Sequence, residues 1–438
     1  MKIKNILLSA LALSAGLFAA TSCVDDPDAF VQTDGKPVVH YIRYADKDIV
    51  IDQAYMKEVI CLVGENLRSV NQLWFNDQKA ILNTSYMTEN TLIVTVPGEM
   101  PANQTDKMYL INKALDTLAI DFKVLPPAPL IKSMSNEWAA PGSVASIYGD
   151  YFLGNADQPV KVEFPNAEVT EYISVTKNEI RFKVPEGALE GKIKVTTASG
   201  IAASYFHYRD SRGLITDFDG AGNSGSTTGI VPQGWNIKAT YSSEGGVSGN
   251  YVQLGPASAP LDENGAWNEE YKLPFWCGNW NGDPMSITWG AGVPVCNVVD
   301  MTNFATMAFK MEVCIPESNP WSSGSMQIIF TSAERCANDS WQNNTYIHTS
   351  GDGGLDLCRA LWTPWKDSGS YHTGGEWITL TIPISEFEYN ADGTKGLVPL
   401  QSANDFASLI IWPWSGGVNG TECTPVFRYD NIRVVPMK

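Results

Sequence analysis

The first half of the chain contains two copies of one sequence pattern, and this repeat constrains the fold more than any other feature. The first copy reads LVGENL, LWFND and NTLIVTVP, and the second reads IYGDYF, VEFPN and NEIRFKVP. Gly64 and Gly149, at equivalent places in the two copies, lie 85 residues apart. Apolar and polar residues alternate between turn residues, as in Ile180, Phe182 and Val184. This period of two predicts two small β-sandwiches in tandem.

The composition favours an all-β protein with a neutral partner. The 438 residues include 37 glycines and 25 prolines, and no stretch has the period of a long amphipathic helix. There are 30 basic residues against 48 acidic ones, which gives a formal net charge of -18. Binding to nucleic acid or another polyanion needs clustered cations, so the sequence argues against both.

The first residues predict export. Lys2 and Lys4 precede a short apolar run that ends in small residues immediately before Cys23. The run is too short to remain as a membrane span, and its pattern predicts a cleaved signal peptide over residues 1–22. A cysteine at this point resembles the lipobox of bacterial lipoproteins, which implies that Cys23 is lipidated. The alternative is an ordinary signal peptide with a chance cysteine.

An acidic patch, VDDPD, begins at Val24. It resembles the export signal that sends Bacteroidota lipoproteins to the outside of the outer membrane. Residues 23–36 are therefore predicted to be a lipidated tether. The resemblance implies a protein that faces the cell exterior and touches the membrane through its lipid anchor only.

The rest of the chain divides into three predicted domains. The repeats occupy residues 37–126 and 127–208 and are joined by LPPAP, which proline keeps extended. Their glycine turns and V-x-VP strands resemble the immunoglobulin-like IPT/TIG family. We interpret both as spacers, because only Trp74 and Trp138 of the 14 tryptophans precede Trp235.

Residues 209–438 are predicted to form a larger sandwich. The opening LITDFDG, the later QGWN and the closing YDNIRVV resemble a jelly-roll carbohydrate-binding module, whose first and last strands lie side by side. Such modules often hold a structural calcium between those strands, where Asp219 and Asp430 lie, and the sequence leaves its presence open. No cofactor is predicted. The domain's six cysteines allow up to three disulfides in any of 15 connectivities, or serve as small buried hydrophobes, and none has CxxC spacing.

Several tryptophans of this domain lie in polar, turn-rich stretches, of which FWCGNWNGDP is the clearest. A flat indole can cover the C–H face of a sugar ring while neighbouring amides and carboxylates bind its hydroxyls. The sequence therefore predicts a glycan-binding aromatic platform on loops. Its tryptophans are Trp276, Trp280, Trp321, Trp341, Trp362 and Trp365, and its polar rim is Asn279, Asn281 and Asp283.

Trp412 and Trp414 allow a different platform. Together with Ile410 they lie on one face of a predicted strand, which is either the packed face or a concave binding face. The period of two cannot decide between these alternatives.

No catalytic residues are predicted. The chain has no GxSxG or phosphate-binding loop, and its four histidines form no metal-like pair. Two alternatives to glycan binding remain open at this point: a glycoside hydrolase of β-sandwich type and a structural adhesin that binds a protein.

The order of parts resembles the B type of surface glycan-binding protein from Bacteroidota polysaccharide-utilisation loci. These parts are a lipobox cysteine, two Ig-like domains and a tryptophan-rich C-terminal domain. The resemblance implies a non-catalytic protein that binds xyloglucan, another β-glucan or a β-mannan. It also implies that the protein works beside an outer-membrane porin and its lid lipoprotein.

Overall fold

A computed structural model describes residues 30–154, 158–221, 225–233, 237–266, 268–277, 292–332, 358–396 and 399–437. These residues form β-strands and short 3₁₀ helices but no α-helix, so the predicted all-β class is confirmed. Within these ranges there is no helix with the length and apolar character that a membrane crossing requires. The 3₁₀ helices are Leu67–Ser69, Thr84–Tyr86, Glu269–Tyr271, Val295–Asn297, Phe304–Thr306, Ile384–Glu386 and Ala403–Phe406. The chain divides into two compact units, Met1–Pro127 and Ala128–Lys438.

The first unit contains one sandwich, which we call the first sandwich. Its strands are β1 (Val38–Tyr44), β2 (Gln53–Tyr55), β3 (Val59–Glu65), β4 (Val70–Phe75), β5 (Gln78–Lys79), β6 (Thr91–Thr95), β7 (Lys107–Asn112), β8 (Thr117–Asp121) and β9 (Lys123–Leu125). One sheet has the order β1-β3-β6, the other has the order β5-β4-β7-β8, and β2 pairs in parallel with β9. In β7 the alternate residues Met108 and Leu110 are fully buried, as the period of two predicts.

The second unit begins with the second sandwich. Its strands are β10 (Leu130–Met134), β11 (Val144–Asp150), β12 (Lys161–Phe164), β13 (Ala167–Glu168), β14 (Tyr172–Val175), β15 (Glu179–Lys183), β16 (Gly191–Thr197) and β17 (Gly200–Tyr208). The sheets have the orders β10-β11-β15-β14 and β13-β12-β16-β17. Phe182 and Phe164, one from each sheet, pack edge to face in the core with ring centroids 5.9 Å apart.

The equivalent glycines of the two repeats both lie against a backbone carbonyl of the neighbouring strand. A Cβ on Gly64 would lie 1.8 Å from the carbonyl oxygen of Val38, and one on Gly149 would lie 1.9 Å from that of Leu130. In both sandwiches a register shift interrupts the pairing at this place, between β1 and β3 and between β10 and β11. Only glycine allows the two backbones to approach this closely. The repeated glycine is therefore explained by strand packing.

The second unit ends with the C-terminal domain. Its strands are β18 (Leu214–Thr216), β19 (Thr240–Ser242), β20 (Tyr251–Leu254), β21 (Leu273–Phe275), β22 (Met307–Cys314), β23 (Ser325–Thr331), β24 (Ala360–Trp362), β25 (Ile378–Pro383), β26 (Ser408–Trp414) and β27 (Phe427–Pro436). The large sheet has the order β19-β20-β27-β22-β25, and the small sheet has the order β21-β26-β23-β24. Strand β18 also pairs with β27, so the predicted contact of first and last strands is confirmed.

The two sheets of the C-terminal domain pack face to face. Phe309 of the large sheet and Phe330 of the small sheet lie 6.3 Å apart between them. Three cysteines of this domain are buried: Cys277, Cys314 and Cys358. Free thiols are found at Cys314 and at the half-buried Cys296 and Cys423. These positions agree with the interpretation of several cysteines as small buried hydrophobes.

Gly64→Ala should lower the free energy of unfolding of the first sandwich by about 1–3 kcal/mol, because the methyl group must displace a backbone carbonyl. Gly98→Ala is the matched control in the same sandwich. The three atoms nearest to its Cβ would all belong to the Lys57 side chain, which can move away. Urea denaturation of the full chain, monitored by amide exchange in β3, measures the free energy of unfolding of both variants. Equal stabilities of the two variants would contradict the explanation.

Candidate functional site

Strand β26 lies between β21 and β23, and its register decides where the neighbouring loops leave the small sheet. Phe275 of β21 and Phe330 of β23 both pair with Leu409 of β26. Both strands are antiparallel to β26, so the chain leaves them at the same end, which we call the loop end. The segments that contain Trp280 and Trp341 both begin there.

Trp276, the first residue after β21, is half-buried at the loop end. Its backbone N–H donates to the Gln233 carbonyl at 3.1 Å, and the Gln233 N–H donates to the Pro274 carbonyl at 2.9 Å. The segment that follows Cys277 is next described at Gly292, where a Cβ would lie 2.1 Å from the carbonyl oxygen of Trp276. The chain therefore leaves and re-enters the described structure beside Trp276.

The other predicted residues of these two segments lie outside the described residues and stay predictions, as does the lipidation site. They are Asn279, Trp280, Asn281, Asp283, Trp341 and Cys23.

The prediction of surface exposure is wrong for Trp321 and Trp365, which are 0% and 3% exposed. Both lie near the start of β23, at the opposite end of the small sheet from the loop end. The Trp321 Nε1–H donates to the Ser323 carbonyl at 2.6 Å, and the Trp365 Nε1–H donates to the Gly324 carbonyl at 2.9 Å. Each indole thus packs into the core while its N–H is satisfied by the turn before β23. Neither ring offers a face to a sugar.

Trp362 is half-buried and packs beside Trp321. Its ring centroid lies 5.6 Å from that of Trp321 and 5.7 Å from that of Tyr371. Trp362 pairs with Met326 of β23, so the small sheet directs the side chains of these two residues to one face. The structure does not bring Trp362 together with Trp276.

Trp412 and Trp414 lie on the outer face of the small sheet. Leu409 shares the inner face with its partner Phe330, so strand alternation directs both tryptophans the other way. They are nevertheless buried, with 1% and 9% exposure. The Trp412 Nε1–H donates to the Asn268 carbonyl at 2.9 Å. This face is therefore not an open platform at Trp412.

Lys272 covers Trp412 from outside, with its Nζ 5.2 Å from the ring centroid. Burial lowers the pKa of the Lys272 ammonium below its ordinary value, and Glu269, 3.7 Å away, opposes that shift. This arrangement is a buried cation–π contact that holds the segment after Asn268 against the sheet. The sequence analysis missed Lys272, because nothing in YKLPF indicates that its lysine is buried.

Buried hydrogen bonds of Gln327 and Arg359 also stabilise the outer face of the small sheet, and the sequence analysis did not predict them. The Arg359 Nη1–H donates to Gln327 Oε1 at 2.9 Å. Gln327 Nε2–H groups donate to the carbonyls of Ala391 at 3.1 Å and Trp414 at 2.9 Å. Gln327 interrupts an otherwise apolar run in β23 at the outward position, which was the one available signal.

Within the described part of the chain, one group of three possible metal ligands occurs, Glu190, His207 and Asp210, whose ligand atoms lie within 4.8 Å of one another. Arg212 donates two hydrogen bonds to Asp210, both at 2.8 Å. Burial lowers the pKa of His207, and Arg212 lowers it further. A metal ion would therefore face a guanidinium at close range. Within the described residues no such group includes Asp219 or Asp430, and the calcium site near them stays as open as the sequence leaves it.

Comparisons with known proteins agree with this architecture. Residues 208–436 match a family model described as the surface glycan-binding protein B xyloglucan binding domain. The crystal structure of surface glycan-binding protein PbSGBP-B from Prevotella bryantii is 36% identical, with a TM-score of 0.73, over 92% of this chain and 100% of that one. An IPT/TIG domain-containing protein of Bacteroides ovatus is 27% identical over 217 residues, which are 45% of this chain and 43% of that protein.

Trp365→Ala should lower the free energy of unfolding by about 3–5 kcal/mol, because it leaves a cavity in the core of the C-terminal domain. Trp365→Phe should cost less, since it keeps most of the buried area and loses mainly the hydrogen bond to Gly324. Guanidinium denaturation measures both variants. Wild-type stability of Trp365→Ala would show that this indole is at the surface after all.

Proposed function

Because the chain belongs to the surface glycan-binding protein B family, we propose that it binds a neutral β-glucan at the cell surface and holds it for uptake. Membership rests on the family model and on the 36% identity to the Prevotella bryantii protein. It confirms the resemblance seen in the sequence, and with it the expectation of a surface glycan-binding protein that is not an enzyme.

The proposed ligand is xyloglucan or a mixed-linkage glucan, with another β-glucan or a β-mannan as the alternative. The name of the matching family model supports xyloglucan. The charge of the protein supports a neutral ligand, since its formal net charge is -18. The buried cations beside the small sheet are also engaged by protein groups, Lys272 by Glu269 and Arg359 by Gln327. A neutral polysaccharide needs no cations from its receptor.

We place the aromatic platform at the loop end. The observation that carries this proposal is the shared pairing of Phe275 and Phe330 with Leu409, which starts both tryptophan-bearing segments from one end of one sheet. Trp276 supplies a half-buried indole there. Trp280 and Trp341 are the proposed further stacking residues, with Asn279, Asn281 and Asp283 at the rim. Trp321 and Trp365 are excluded by their burial.

We further propose that the mature protein is anchored in the outer membrane by a lipid on Cys23 and faces the cell exterior. The small residues before Cys23 and the acidic patch after it support this proposal. An outer-membrane porin and its lid lipoprotein are the proposed neighbours that would take up the bound glycan.

Trp280→Ala should weaken binding of a xyloglucan or mixed-linkage glucan oligosaccharide by at least about thirtyfold. This corresponds to about 2 kcal/mol for a stacked aromatic anchor. Asn281→Ala should cost about fivefold, as one exposed hydrogen bond does. Isothermal titration measures both, with circular dichroism to confirm folding.

Trp74→Ala, in the first sandwich, is the control and should bind like the wild type. If Trp280→Ala binds normally while a folded Trp412→Ala abolishes binding, the platform lies on the outer sheet face. The loop-end proposal would then be wrong.

Cys23→Ala should release the protein from the membrane fraction, because the thioether that carries the lipid cannot form. Ultracentrifugation of cell lysates, followed by immunoblotting, measures the shift to the soluble fraction. Treatment of intact cells with a protease tests the orientation of the wild type. Survival of the full-length protein under that treatment would contradict the outward-facing proposal.

A further inference from the structure

A polar stripe crosses the outer face of the large sheet in the C-terminal domain. Phe309 points inward, so its neighbour Lys310 on β22 points outward, and Arg433 on β27 pairs with Lys310. Glu312 of β22 and Thr379 of β25 are also paired. The side chains of Lys310, Glu312 and Arg433 are only 7%, 0% and 0% exposed. An outer sheet face with buried charges must be covered by another part of the protein.

The second sandwich supplies the missing charge. Glu137, 4% exposed, follows β10. Its Oε1 accepts from Lys310 Nζ at 2.5 Å, and its Oε2 accepts from Arg433 Nη2 at 3.0 Å. Arg433 also donates to both oxygens of Glu312, at 2.7 and 3.1 Å. Two cationic and two acidic side chains thus form a buried, hydrogen-bonded group, which we call the charge quartet.

Hydrogen bonds and ring contacts surround the charge quartet. The backbone N–H of Thr379 donates to the Ser135 carbonyl at 3.0 Å, and the Glu137 N–H donates to Thr379 Oγ1 at 2.7 Å. The Arg433 guanidinium lies 5.9 Å from the Trp138 ring centroid. Trp138, which the sequence analysis assigned to a spacer, therefore lies against the C-terminal domain.

The chain between the two domains has little freedom to move. After β17 ends, the Arg209 N–H donates to the Glu137 carbonyl at 2.8 Å. Ser211 donates from its N–H and its hydroxyl to Glu190, at 3.1 and 2.7 Å. A Cβ on Gly213 would lie 1.8 Å from the Val434 carbonyl oxygen. The connection is therefore short and fixed at several points.

We propose that the second sandwich and the C-terminal domain form one rigid binding head, locked by Glu137, and that the second sandwich is not an independent spacer. Its contact uses the outer face of the large sheet. The loop end belongs to the small sheet, on the other layer of the sandwich. The second sandwich can therefore fix the orientation of the C-terminal domain without covering the proposed platform.

Glu137→Gln in the full chain tests the lock, because it keeps the shape of the side chain and removes its charge. The quartet would then hold two buried cations and one carboxylate, an imbalance that is strongly destabilising. Hydrogen–deuterium exchange of β22 and β27 should become at least about tenfold faster than in the wild type. The measurement needs no glycan, so its outcome is independent of the proposed function.

Glu171→Gln is the matched control in the same sandwich. Glu171 pairs with Lys183 at 2.7 Å but is 59% exposed, so its loss should leave β22 and β27 unchanged. Glu137→Gln combined with Lys310→Met leaves one cation and one carboxylate, Arg433 and Glu312, and should recover most of the lost protection. Exchange in Glu137→Gln that matches Glu171→Gln would overturn the proposal. So would a double variant whose effect is the sum of the two single variants.

Discussion

The register of β26 is the constraint on which the C-terminal domain depends, because β26 pairs with β21 on one side and β23 on the other. It directs Leu409 and Phe330 into the core, and Trp412 and Gln327 to the outer face. A slip of β26 by one residue would turn Leu409 outward and place Trp412 between the sheets. The same register makes β21 and β23 end together. One pairing pattern therefore fixes the core, the braced outer face and the end of the sheet from which the proposed platform begins.

Four buried cations of the second unit stabilise the fold through contacts with other protein groups. Lys310 and Arg433 join the second sandwich to the large sheet through Glu137. Lys272 holds a segment over Trp412, and Arg359 braces Gln327. The protein, already strongly acidic, thus commits these four cations to its own groups, so that the proposed ligand would be bound by other groups. Stacking aromatics and neutral amides are suited to a polysaccharide without charge. The architecture and the proposed ligand are consistent for this physical reason.

The sequence predicted the features that depend on local pattern. The period of two gave the all-β class and the buried positions of Ile180 and Phe182, and the ends of the C-terminal domain indicated that its first and last strands are neighbours. It did not predict that Trp321 and Trp365 are buried, because a tryptophan in a polar turn has the same local sequence whether it packs inward or faces solvent. The charge quartet could not be predicted from the sequence either. Glu137 is 173 residues from Lys310 and 296 from Arg433, and no local pattern links positions so far apart.

A crystal structure of the full mature chain with a xyloglucan oligosaccharide, or with a mixed-linkage glucan oligosaccharide if xyloglucan does not bind, tests the placement of the platform most directly. Our account predicts sugar rings stacked at the loop end of the small sheet, on Trp276 and on tryptophans of the segments that follow β21 and β23. Sugar rings stacked instead on Trp412 and Trp414, or beside Trp362 at the opposite end, would contradict it.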